Sequence, residues 1–125
     1  MVGSANVHAV LAVKDIEAAK KFYSETLGLK QLDQNPGGVL YGSGSNKVFV
    51  YQSEYAGTNQ ATAASWEIDN VEETVSELTG KGVKFEHYDN LPGVKLEGDI
   101  HVMGSMKAAW FKDPDGNVLC IGNAM

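Results

Sequence analysis

The sequence predicts an α+β protein made of two βαβββ units, with eight strands and two helices. Three observations carry this. Two amphipathic stretches each follow a strand-like run and begin on a capping residue, Asp15 and Asn70. After each, short apolar runs alternate with turn-forming residues. Setting the two helix starts against each other gives an offset of 55 residues (70 minus 15), which places His8 on Ala63, Leu11 on Trp66 and Val13 on Ile68. A structural repeat needs only recurring apolar stripes and turns, not identity between its halves.

The elements follow in order. Residues 6–13, "NVHAVLAV", alternate as a strand, with Ala9, Leu11 and Val13 on one face and His8, Val10 and Ala12 on the other. "KDIEAAKKFYSETLGL" is a helix capped by Asp15, with Ile16, Ala19, Phe22, Tyr23 and Leu27 on one stripe and Gly28 as its stop. Strands at 29–34, 39–42 and 47–52 are divided by "NPGG" and "GSGSN". The second unit begins with the alternating strand 62–68. Its helix, "DNVEETVSELTGKG", carries Val71, Val75 and Leu78 on one stripe. A strand is expected over 83–89, then an irregular segment over 90–105. The chain closes with a hairpin, 106–112 and 117–122, around Asp113-Pro114-Asp115-Gly116. In that turn Asp bonds backbone, Pro fixes φ and Gly accepts the left-handed conformation. Each helix covers one face of its strands. The other face is left to the second unit, a partner subunit or a ligand.

Composition bounds the function. At 125 residues, 43% apolar and 21% charged, the chain is expected to be a single domain, 1–125, of two modules, about 5–54 and 60–123. Sixteen acidic against ten basic side chains give a net charge of −6, which argues against a nucleic-acid partner. No signal peptide and no apolar run long enough for a membrane span is visible. A single cysteine, Cys120, excludes an internal disulfide and fits a reducing, cytoplasmic location.

"HAVLAVKDIEAAKKFYSETLGL" and "AAWFKDPDGNVLCI", in that order and about ninety residues apart, resemble the glyoxalase/bleomycin-resistance/extradiol-dioxygenase (vicinal oxygen chelate) superfamily. The resemblance covers nearly the whole chain. It implies two modules curving around a cleft, usually in a homodimer, and in the metalloenzymes of the family ligands on the first and fourth strands of each module. Carried onto this sequence, those positions are His8, Val50, Ala63 and Cys120, with Gln52 a weak substitute for Val50. Valine and alanine bind no metal, and a thiol replaces the carboxylate of a hard, oxygen-rich site. No cofactor and no family-type metal are therefore expected. An isomerase or dioxygenase of this family lacks its donor set here.

Strand parity then gives a candidate ligand-binding face of His8, Val10, Gln52, Ser65, Glu67 and Cys120, with Trp66 on the helix-packed side. His8 reads either as a strand histidine bonded to backbone or water or as a polar contact to a ligand. Glu67 reads as a cation holder or base, or as a solvated edge charge. Cys120 reads as a small buried hydrophobe. Trp110, Tyr41 and Tyr51 fit either the core or a pocket lining. Segment 90–105 is a candidate lid, with His101 and Met103 capping the cleft. The expected function is a small-molecule-binding protein, homodimeric, holding an organic ligand in its cleft. The competing readings are an enzyme of the same superfamily, a lyase, isomerase or dioxygenase relative with a rearranged site, and a module whose cleft contacts protein.

Overall fold

The computed structural model describes residues 1–123. Its strands are β1 (Ala9–Val13), β2 (Lys30–Asn35), β3 (Gly38–Ser43), β4 (Asn46–Gln52), β5 (Thr62–Glu67), β6 (Phe85–Glu86), β7 (Lys95–Glu97), β8 (Ile100–Met103), β9 (Met106–Lys112) and β10 (Val118–Gly122). Its helices are α1 (Ile16–Lys21) and α2 (Val71–Gly80). Four strands form one sheet in the order β1-β4-β3-β2; the other runs β5-β10-β9-β8-β7, with β6 also on β9. In both, the first strand of the unit lies parallel to its last, β1 on β4 and β5 on β10, and the other pairs are antiparallel. That is the βαβββ arrangement twice, in an α+β fold with no closed barrel.

The helix starts follow from their caps. Asp15 accepts from the backbone N–H of Glu17 and Ala18 at 3.0 and 3.1 Å. Asn70 Oδ1 accepts from Glu73 N–H at 2.9 Å, while its side-chain amide donates to the Glu73 carboxylate at 3.3 Å. The first helix is shorter than its stripe suggests. After Lys21 it widens into a π turn over Phe22–Thr26, closed by Leu27 N–H on Phe22 C=O at 3.0 Å. The wide turn brings adjacent Phe22 and Tyr23 against the interior together.

Register decides what each face carries. Leu11, Val13, Val39, Tyr41, Val48 and Val50 line the inner side of the first sheet. Ala109, Phe111, Leu119 and Ile121 do so for the second. With Ala19, Tyr23, Val71, Val75 and Leu78 from the helical segments, they make one continuous core. Trp66 packs against it from β5, on the side predicted for it.

The second unit departs from expectation between 83 and 105. The strand expected over 83–89 is two residues long, and the expected irregular segment 90–105 contains β7 and β8. The described chain thus has ten strands rather than eight. The cause is an interrupted lane on β9. β6 pairs with Phe111 and Trp110, and β8 resumes at Ala108 and runs to Met106. Between them residues 87–99 loop out, with β7 folded back on β8. His87 to Asp99 at 2.7 Å and Tyr88 N–H to His101 Nε2 at 2.9 Å close the loop at its base.

The terminal turn ties the two units together. Asp113 Oδ1 accepts from the N–H of Asp115 and Asn117. Its Oδ2 accepts from Tyr23 Oη at 2.6 Å and from the Asn117 amide at 2.8 Å. That amide also donates to Ala12 C=O at 2.7 Å, so one turn fastens both β1 and the end of the first helix. Gly116 holds the left-handed conformation the turn requires, φ +93°. Gly57 in the inter-unit linker lies against the turn at φ +73°, where a Cβ would stand 2.0 Å from Asp115 C=O.

Candidate functional site

Each sheet has a second face, turned away from the core. On the first sheet it carries two cross-strand rows, Val10–Phe49–Leu40 and Ala12–Tyr51–Gly38. The Phe49 and Tyr51 rings lie parallel, 4° apart with centroids at 6.2 Å. Gly38 leaves room for them: a Cβ there would meet Phe49 at 3.0 Å and Val50 C=O at 2.2 Å. Val10 is 58% exposed. On the second sheet the rows are Ser65–Cys120–Trp110–Glu86 and Glu67–Gly122–Ala108–His101–Leu96.

Trp110 dominates the second face. Its indole N–H donates to Thr62 Oγ1 at 3.0 Å, so the side chain on β9 reaches across β10 to β5. Its ring meets His101 edge-on at 4.9 Å and Tyr88 at 5.5 Å. A cavity of 100 Å³ lies beside it, under the 87–99 loop, lined among others by Leu91, Val94, His101, Met103 and Ala108. His101 is buried, and burial holds its pKa below the usual imidazole value. Burial likewise raises the Cys120 thiol, opposed by a bond with Ser65. Cys120 is a protonated thiol at neutral pH and a poor nucleophile.

The two sheets approach along β1 and β5 without hydrogen-bonding into one. A cleft of 610 Å³ follows that junction, lined by Val7, Ala9, Ser65, Trp66, Glu67 and Ile68 among others.

The expected site residues therefore divide. Ser65 and Glu67 line the junction cleft; exposed His8 sits between two of its lining residues, and Val10 continues the same strand face. His101 and Met103 line the cavity under the loop. Cys120 lies between these places, in the Trp110 row. Gln52 does not join them. It pairs with Val13 and so shares the side of Leu11 and Val50, and its amide donates to Lys14 C=O at 3.0 Å. The expected parity of β4 was off by one residue, and Phe49 and Tyr51 take the outward positions instead. Those two, with Trp110 and the Tyr88 ring packed on it, are aromatic residues absent from the expected binding set, although Tyr51 and Trp110 were open to either core or pocket. The alternation Val48-Phe49-Val50-Tyr51 held the signal, but only the β1–β4 register says which half faces out.

The donor set does not fit a metal of the kind this fold family uses. The outward position on β4 is aromatic, and burial keeps the thiol on β10 protonated. Among the described residues no three His, Cys, Asp or Glu side chains converge.

The sequence pattern of the Glyoxalase/Bleomycin resistance protein/Dioxygenase superfamily matches residues 6–121. The chain belongs to that superfamily. No curated protein matches it in sequence. Solved structures resemble it over nearly their whole length. A glyoxalase family protein from Enterococcus faecalis has a TM-score of 0.74 at 19% identity, covering 98% of this chain and 99% of its own. A lactoylglutathione lyase from Agrobacterium tumefaciens has 0.70 at 19%, covering 95% and 92%. TnmS3, an antibiotic binding protein from Streptomyces, has 0.64 at 22%, covering 94% and 95%. At these identities the likeness is one of fold. This superfamily member has no helix among its described residues long and apolar enough to cross a membrane.

Proposed function

We propose that this superfamily member is a small-molecule-binding protein that holds an organic ligand on its outward sheet faces, without a family-type metal and without turning it over. One observation carries the reading: the outward faces present aromatic side chains where a metalloenzyme needs hard donors. Phe49, Tyr51 and the Trp110–His101–Tyr88 group offer flat apolar contact, with Ser65, Glu67 and His8 as polar groups at the junction cleft. The fold it shares with an antibiotic binding protein supports the same reading. The reading takes residues 1–125 as one domain working in the cytoplasm. It also takes the chain as a homodimer, since Val7 and Val10 stand 86% and 58% exposed beside the cleft. Sedimentation at micromolar concentration checks this: a dimer is expected, and a monomer removes that part.

The test of binding is a titration of chelator-dialysed protein with two planar probes that do not chelate metals, 2-naphthol and acridine orange. The Trp110 indole N–H and the Ser65 and Glu67 amides report by NMR. Saturable shifts there for at least one probe are expected, unchanged by added metal. Binding that appears only with a divalent ion and vanishes in His8→Ala contradicts the proposal, as does no saturable shift with either probe.

A further inference from the structure

We infer that the Trp110 end of the outward face selects neutral aromatic ligands that carry a hydrogen-bond acceptor, which His101 Nδ1–H receives beneath the 87–99 loop. The inference rests on the outward-face reading above and narrows its ligand. One buried ring carries it. His101 is 3% exposed, and its two nitrogens are not equivalent. Tyr88 N–H donates to Nε2 at 2.9 Å. A backbone N–H can only donate, so Nε2 holds the lone pair and the proton of the neutral ring sits on Nδ1. Burial keeps the ring neutral, since it holds the pKa below the usual imidazole value. The proton is thus fixed on an atom that has no hydrogen-bond partner among the described residues. The Ala108 backbone is near enough to favour the charged ring, but it does not meet Nδ1 in hydrogen-bond geometry. Buried polar groups are seldom left this way, and an acceptor-bearing ligand relieves the cost.

The surroundings of the donor set the rest of the ligand. Trp110 stands edge-on to the imidazole and offers flat apolar contact. Leu91, Val94, Met103, Met106 and Ala108 wall the 100 Å³ cavity that both rings line. Lys107, the charged residue in that wall, is paired with Glu72 on α2. No unpaired charge there calls for a charged ligand, and a charge buried without a partner is costly. The cavity is smaller than the roughly 300–1,000 Å³ of small-molecule sites, so a ligand must lift the loop to reach the donor. The loop is lightly held. Among the described residues, 89–94 make no hydrogen bond or ion pair outside their own segment, and Val94 N–H on Leu91 C=O at 3.3 Å closes within it. Beneath them the contact is apolar: Gly93 lies over Met103, where a Cβ would stand 3.9 Å from Sδ. A segment fastened only at its base opens at low cost. A ring laid against Trp110 under the lifted loop then brings its acceptor to Nδ1.

The probes are acetophenone and α-methylstyrene, which share one shape but carry a carbonyl oxygen in the first where the second has a methylene. The readout is side-chain NMR of the His101 nitrogens. In the ligand-free protein Nδ1 is expected to carry the proton and Nε2 to lack it. Acetophenone should move the Nδ1 proton downfield saturably, together with the Trp110 indole and the Leu91 and Val94 methyls. α-Methylstyrene should move the indole and the methyls without that downfield shift. The preference for acetophenone over α-methylstyrene should be about tenfold greater in the parent than in His101→Phe, which keeps a ring and drops both nitrogens. That variant also loses the bond from Tyr88, so the Nδ1 shift in the parent is the measurement that does not depend on its folding. A proton on Nε2, an indole that moves with acetophenone while Nδ1 stays still, or a preference unchanged in His101→Phe overturns the inference and leaves the outward-face reading intact. No saturable shift with these probes, 2-naphthol or acridine orange overturns both.

Discussion

Replacing Tyr23 with Phe removes one hydroxyl from the network that joins the units. Tyr23 is fully buried, and its Oη donates to Asp113 Oδ2 at 2.6 Å, a carboxylate itself only 5% exposed. A hydrogen bond to a charged group contributes about 1.5–3 kcal/mol, and phenylalanine keeps the ring contacts with Phe22 and Tyr41. Asp113 retains three donors, from Asp115, Asn117 and the Asn117 amide, so its charge is not stranded. The expected loss is therefore about 2 kcal/mol rather than the larger cost of an unpaired buried carboxylate. For a chain of this size that lowers the midpoint of thermal unfolding by about 8 °C. The assay is urea unfolding followed by circular dichroism, with Asn117→Ala and the double variant completing a cycle. Coupling of about 1 kcal/mol between the two sites is expected, because both donate to one oxygen. A Tyr23→Phe protein within about 0.5 kcal/mol of the parent would refute the claim that this bond ties the units together.

The same network sets an alkaline limit. Burial, then the charge of Asp113, raises the Tyr23 phenol far above its ordinary value, so the unfolded chain gives up this proton first. The contribution is complete below about pH 10 and falls by about 1.4 kcal/mol per pH unit above it, a slope that Tyr23→Phe should lack. Gly57→Ala should cost at least about 2 kcal/mol in the same urea assay, since its Cβ meets Asp115 C=O at a left-handed φ; a neutral result means the linker does not rest on the turn. At the base of the loop the sign is opposite. Burial lowers the His101 pKa, so stability is full above about pH 6.5 and falls as the unfolded chain takes up the proton below it. Protonated Nε2 no longer accepts from Tyr88 N–H, so the protection factor of that amide, taken against the intrinsic exchange rate at each pH, should fall as acid protonates the imidazole. Unchanged protection of Tyr88 would show that the imidazole does not fasten the loop.

What the sequence made legible was local. Asp15 and Asn70 announce their helices because capping chemistry needs one residue and its next neighbours. Asp113-Pro114-Asp115-Gly116 announces its turn for the same reason. The faces of β1 and β5 could be read because Leu11, Val13 and Trp66 alternate cleanly with smaller or polar residues. β4 defeated the same reasoning, because Val48-Phe49-Val50-Tyr51 is apolar at every position and parity then depends on its pairing with β1. β6, β7 and β8 were hidden because two to four residues carry no period, and because β9, not their own sequence, decides where they pair. The bond from the Asn117 amide to Ala12 spans 105 positions, beyond any local pattern.

Ligand binding that needs no metal can be tested in one experiment. The direct measurement is metal content and probe affinity on one sample of protein purified without added metal, before and after chelator dialysis. No stoichiometric Zn, Ni, Fe or Mn is expected in either state, and the same affinity for whichever of 2-naphthol or acridine orange binds. One tightly held metal per chain, lost together with probe binding on chelation and in His8→Ala, would contradict it.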